Sequence, residues 1–207
     1  HAVKDQLYVA CSLKGLLRLD MASGQLEVLA NLASDTNLPL NYVNDLDVAP
    51  NGDVYFTSST ERGVLYNAKK GFYDTLHSYL QNLCKGDNTG RLLKYDAATR
   101  TTSTLLSGLW YANGVALSAD FKDVMVVETN LNRVHRYSLA TGKTEVFVDK
   151  IPAMPDGISR SDDGGFWIGG VVRLSPLPRL LAPYPKLRTL VAHVAGPLLP
   201  VVAKPAG

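Results

Sequence analysis

One stretch of this chain returns twice in the same phase, and that repetition limits the folds open to it. Residues 42–58, YVNDLDVAPNGDVYFTS, come back in looser form at 112–127, ANGVALSADFKDVMVV, and at 155–169, PDGISRSDDGGFWIG. Lining up the copies brings Asn44, Asn113 and Asp156 into register. Each is followed by Asp or Gly, then an apolar residue, a turn rich in Asp, Asn and Gly, and an apolar strand. Asn113 and Asp156 stand 43 residues apart. Asn44 and Asn113 stand 69 apart, with an insertion at 59–86 to account for the excess.

Short strand patterns fill the space between copies. Residues 7–10, 15–20 and 26–30 read as three strands joined by tight turns. The sequences LRLDMASGQ, LKYDAATRT and HRYSLATGK are interchangeable in form and mark the outer hairpins of three units. Asn51-Gly52 is a hairpin signal, since both residues accept positive φ cheaply. A period near 43 with four short strands per unit is the signature of a β-propeller blade. A helical solenoid would show a 3.6-residue period, and a single sandwich would not repeat its motif in phase. The fold class is therefore all-β, a partial propeller over residues 1–172. No innermost strand is evident before Leu7, and the last copy stops before its outer hairpin. The expectation is three to four blades, two whole and two partial. Such an arc is a piece of a larger ring, or is completed by a partner chain. In the insertion, Phe72, Leu76, Tyr79, Leu80 and Leu83 are spaced for one short amphipathic helix.

Residues 173–207 differ in character. They hold seven of the chain's eleven prolines, five basic residues and no acidic one. That composition suits a cap, a tail, or a segment in peripheral contact with a membrane surface. No apolar run approaches the ~20 residues that span a bilayer, and no signal peptide is visible. A net charge of +2, with Lys and Arg scattered, gives no reason to expect a nucleic-acid partner. Cys11 and Cys84 have no metal-ligand spacing, and nothing in the sequence argues that they pair.

In a propeller the innermost strand of each blade runs along the central axis. Equivalent residues of successive blades then sit at one level around it. Amide and carboxylate oxygens of Asn44, Asn113 and Asp156 facing that axis would suit a hard cation such as Ca²⁺, which takes about 6–8 oxygen ligands. Asn-Gly and Asp-Gly are also turn formers, and side-chain caps at a strand entry would leave the same pattern. Asp45 and Asp47 are expected to bond backbone amides between blades. His77 and His135 show no partner for a proton relay, and Ser58 and Ser59 lack a nucleophile elbow. The pairs Trp110-Tyr111 and Phe166-Trp167 read as packing between blades. No catalytic base can be named.

VNDLDVAPNGDVYFTSS, GDNTGRLLKYDAATRTTSTLLSGL, ANGVALSADFKDVMVVETNLNRVHRYSL and MPDGIS with FWIGG resemble the strictosidine synthase-like family, in its adipocyte plasma membrane-associated subgroup. The resemblance covers about residues 5–190. It implies a six-bladed propeller similar to paraoxonases and gluconolactonase-type lactonases. It also implies a central Ca²⁺ taken by an Asn of the NDxD motif, an Asn of the ANG motif and an Asp of the PDN motif. Those positions fall here on Asn44, Asn113 and Asp156. The pattern departs at Gly157, which replaces the Asn of PDN, and at a first-blade Glu for which no blade is seen. The implied function is a metal-dependent hydrolase, arylesterase- or lactonase-like, acting on a small-molecule ester or lactone in the secretory pathway or endomembranes. The alternatives are a non-catalytic interaction platform, or the amine–aldehyde condensation of strictosidine synthase itself, whose catalytic Glu lies on a final blade not present here.

Overall fold

Four antiparallel sheets follow one another along the chain. The computed structural model describes residues 2–3, 5–173, Tyr184, Lys186, Leu187 and Leu190. The first sheet contains β1 (Ala2–Val3), β2 (Gln6–Cys11), β3 (Gly15–Asp20) and β4 (Leu26–Ala30), paired in that order. The second begins with β5 (Val43–Val48) and β6 (Val54–Ser58). An excursion follows, made of the hairpin β7 (Leu65–Asn67) and β8 (Phe72–Asp74) and the helix α1 (Thr75–Lys85). β9 (Gly90–Asp96) and β10 (Thr101–Leu109) then complete the sheet in the order β10-β9-β6-β5. The third sheet is β11 (Ala112–Leu117), β12 (Asp123–Glu128), β13 (Arg133–Ser138) and β14 (Thr144–Val148). The fourth contains β15 (Ala153–Arg160) and β16 (Phe166–Arg173).

This is a propeller arc, with one departure from expectation. The first sheet does not start at its second strand, because Ala2 and Val3 pair with Leu7 and Gln6. The three turns read as outer hairpins all join the third strand of a sheet to the fourth. Asp20 and Asp96 hold two of them, each accepting a backbone N–H three residues on, from Ser23 at 2.7 Å and Thr99 at 2.9 Å. Asn51-Gly52 joins β5 to β6 as expected, but only Gly52 takes positive φ, at 90°. Gly52 N–H bonds to Ala49 O, so a three-residue turn with a glycine bulge replaces the two-residue form.

Strand sequences follow from the stacking of sheets. Val54 and Phe56 pack on Leu16, Leu46 and Leu93 between the first and second sheets, while Tyr55 between them in sequence faces the second interface. On β12, Val124 and Val126 join that second interface, and Met125 and Val127 pack on Val134 and Ile158 in the third. A strand buried on both faces has no polar side to show, so it reads as a continuous apolar run. Each such side chain contributes about 1.5–3 kcal/mol of burial. The cap, tail and membrane-contact readings for 173–207 lie largely outside the described residues.

Candidate functional site

A one-residue bulge sits at the same place in three inner strands. On β5, Val43 pairs with Ser58 and Leu46 with Phe56, so three steps on one strand face two on the other. On β11, Ala112 pairs with Glu128 and Val115 with Val126. On β15, Pro155 pairs with Gly170 and Ile158 with Ile168. The residues enclosed are Asn44-Asp45, Asn113-Gly114 and Asp156-Gly157. A bulge re-aims a side chain out of the regular alternation of a strand. The turn reading of Asn-Gly does not apply at Asn113, because Gly114 lies in a strand and has no positive φ. Glycine is required there by proximity. A Cβ at 114 would lie 2.5 Å from Asp156 O and 2.6 Å from Ile158 N.

A hydroxyl relay then links each amide to the next blade. Asn44 Nδ2 donates to Ser59 Oγ at 2.8 Å, and Ser59 Oγ donates to Ala112 O at 2.6 Å. Asn113 Nδ2 donates to Thr129 Oγ1 at 3.1 Å, and Thr129 Oγ1 donates to Pro155 O at 2.8 Å. Ala112 and Pro155 immediately precede Asn113 and Asp156 in sequence. The relay fixes the NH₂ end of both amides. Among the described residues, no hydrogen bond is made by Oδ1 of Asn44, Oδ1 of Asn113 or the Asp156 carboxylate. The sequence reading considers Ser59 only as a nucleophile and does not single out Thr129. Their signal is a hydroxyl directly after each second strand, in VYFTSS and VVETN.

Asp45 and Asp47 are occupied as expected. Asp45 Oδ2 accepts Val115 N–H and Asp47 Oδ2 accepts Leu117 N–H, each at 2.9 Å. Both carboxylates thereby satisfy donors on the open edge of the neighbouring inner strand. Thr57 Oγ1 adds a bond to Asn113 O at 2.6 Å. Burial pushes the Asp45 carboxyl up from its ordinary range, against the pull of the Val115 and Leu46 amides.

Aromatic side chains stand beside these residues. Tyr42 and Tyr111 each lie two positions before an Asn of the set, with ring centroids 5.8 Å apart, and Tyr79 of α1 lies 5.0 Å from Tyr111. Burial raises all three phenols above their ordinary value, and the Asp156 charge acts on each of them and on Asp45. Tyr79 Oη donates to Asn130 Oδ1 at 3.2 Å and approaches Met154 Sδ at 3.7 Å. Met154 occupies the corresponding position before Asp156. The helix α1 therefore packs at the end of the inner strands that carries Asn44, Asn113 and Asp156.

The inward face of α1 is not the apolar stripe that the spacing suggested. Ser78 and Asn82 are buried, whereas Leu76 is 55% exposed. Asn82 Oδ1 accepts Asn130 Nδ2 at 3.2 Å, so the helix meets a polar surface and turns a polar face to it. Phe72 belongs to β8 and is exposed.

His135 does have a partner, contrary to expectation. Its Nε2 lies 2.7 Å from Glu128 Oε2, which also accepts Arg133 Nε at 2.6 Å, while Glu128 Oε1 accepts Trp110 N–H at 2.8 Å. His77 is exposed and contacts Gln81. Phe166 packs on Phe147 as read, but Trp167 is 71% exposed. Cys11 and Cys84 are present as thiols.

The donor set of Asn44, Asn113 and Asp156 is all oxygen with one formal charge, which fits a hard cation in kind. Three side chains supply fewer ligands than such an ion takes, so further oxygens are needed. No group of three or more His, Cys, Asp or Glu is gathered for a metal among the described residues.

Residues 44–142 match the family model described as strictosidine synthase. The chain is 37% identical over 172 residues to strictosidine synthase-like protein 2 of Arabidopsis thaliana, covering 79% of this chain and 42% of that protein. It is 35% identical over 179 residues to the adipocyte plasma membrane-associated protein of Salmo salar, covering 82% and 40%. The chain thus spans less than half the length of either relative. In fold it is similar to a gluconolactonase of Xanthomonas campestris (TM-score 0.61, 20% identity, 80% of this chain and 52% of that one). It is also similar to regucalcin, a calcium-binding protein of Agrobacterium tumefaciens (TM-score 0.56, 23% identity, 81% and 50%).

Proposed function

The chain is a relative of the strictosidine synthase-like and adipocyte plasma membrane-associated proteins, and on that premise we propose that it forms part of a calcium-dependent hydrolase of small esters or lactones. The observation that supports this reading is the threefold bulge, with Asn44 and Asn113 held by hydroxyls so that their carbonyl oxygens are left for a ligand. Asn44 Oδ1, Asn113 Oδ1 and the Asp156 carboxylate would hold the ion. Bound there, Ca²⁺ would polarise a substrate carbonyl and stabilise the oxyanion formed from it.

The chain's own residues have separate tasks. Ser59 and Thr129 set the amide orientation. Asp45 and Asp47 hold the inner strands at a fixed offset and remain outside the ligand set. Tyr42, Tyr79 and Tyr111 form an apolar wall that excludes water from one side. The solved relatives in fold include proteins described as a gluconolactonase and as calcium-binding, which agrees with this chemistry. By the same kinship we place the protein at a membrane of the secretory pathway. No described helix is long and apolar enough to cross a bilayer.

The test is hydrolysis of aryl esters and of a lactone series by the full-length protein, before and after chelation, with metal content measured by mass spectrometry. One bound calcium per chain and chelator-sensitive turnover are expected, both lost in Asn113→Ala. Turnover indifferent to chelation, with Asn113→Ala equal to wild type, would overturn the proposal. A second reading, a non-catalytic platform, is favoured by the exposed Trp167 and Val171 on β16. Co-purification of a partner with no ester turnover would select it.

A further inference from the structure

Comparing equivalent positions in the second and third sheets exposes an imbalance of charge. On the third sheet Glu128 pairs directly across with Arg133, and the two side chains form an ion pair. The equivalent cross-strand pair on the second sheet is Ser58 with Arg91. Each second-strand residue faces the first residue of its bulged inner strand, Val43 for Ser58 and Ala112 for Glu128. The arginine is kept in both sheets, while the carboxylate is replaced by a hydroxyl in one.

Arg91 is 3% exposed and Ser58 is fully buried. Arg91 Nη2 donates to Pro39 O at 2.7 Å. Among the described residues, its Nε and Nη1, and Ser58 Oγ, are buried without a hydrogen-bond partner. Directly opposed residues on neighbouring strands carry side chains on one face, about 4.5–5.5 Å apart at Cβ. Both side chains therefore leave one face of the second sheet. Glu61 and Asp35 are the acidic groups that act on Arg91, and both are exposed and form no ion pair with it. A buried guanidinium whose fork is unmet is costly, and it is resolved by an anion that accepts from it.

We propose that Arg91 and Ser58 form a buried binding site for a small monovalent anion, with chloride as the natural occupant. The anion takes the place that the Glu128 carboxylate fills one blade on. It accepts from Arg91 Nε and Nη1 and from the Ser58 hydroxyl, and so helps fasten the connection through Pro39 to the second sheet. The site is distinct from the proposed cation site, because Asn44 is held by the hydroxyl of Ser59, which follows the strand, and not by that of Ser58.

The experiment compares thermal unfolding of the full-length protein in sodium chloride and in sodium methanesulfonate at equal ionic strength. Chloride is expected to raise Tm by about 3–6 °C in a saturable way. Ser58→Glu supplies the missing carboxylate, and the response should vanish with Tm high in both salts. Arg91→Met should also lose the response. Crystals grown in bromide should show an anomalous peak beside Arg91, which tests the site even where a variant fails to fold. Equal Tm in the two salts, a folded Ser58→Glu protein that responds as wild type, or bromide confined to surface positions would each overturn the proposal.

Discussion

Glu128 is the most heavily engaged carboxylate on the third sheet, 1% exposed and bonded to His135, Arg133 and the Trp110 amide. Burial alone would raise its pKa, but those three donors outweigh burial and hold it below the ordinary 4.5. A carboxylate depressed in the folded state adds stability above its unfolded pKa and loses it as pH falls through the folded value. Wild-type stability should therefore drop as pH is lowered below about 4.5. Glu128→Gln should be less stable at neutral pH yet flatter across that acid window. Urea unfolding as a function of pH measures both, and parallel profiles for the two proteins would contradict the assignment. Neither His135 nor Glu128 could be paired from sequence. They lie seven residues apart, and only the turn between β12 and β13 brings them face to face.

At the scale of elements, the contact between β11 and β15 depends on one missing side chain. Ala at position 114 would drive a Cβ into backbone atoms of Asp156 and Ile158, whereas nothing lies within 4 Å of a Cβ at 157. Gly114→Ala is expected to cost about 1–3 kcal/mol, as overpacking against rigid backbone does, while Gly157→Ala should be near neutral. Chemical denaturation of the two variants distinguishes this account from a general intolerance of alanine in the bulges. Strand positions and outer turns were legible because stacked sheets impose a local pattern of apolar runs and turn residues. The helix in the insertion was legible too, from the spacing of its apolar residues. Which face it buries was not, since that depends on Asn130 and the tyrosines beneath it.

For the whole molecule, the outer side of β16 carries Trp167 at 71% and Val171 at 64% exposure. The relatives are more than twice as long as the matched region. In the isolated 207-residue chain, Trp167 should be readily quenched by acrylamide. In a full-length protein whose next sheet stacks on the face of β16 that carries Trp167, quenching should fall and emission shift to the blue. Unchanged quenching would mean that this face stays open. The sequence by itself determined the blade period, the all-β class, the insertion, and the equivalence of Asn44, Asn113 and Asp156, because a repeat writes its phase directly into the chain. Tertiary structure alone decided how those residues are used. The bulges that re-aim them, the Ser59 and Thr129 relay, the Asp45 and Asp47 clasp and the unmatched Arg91 all join groups from different blades. Such contacts depend on how sheets stack, which no local pattern encodes.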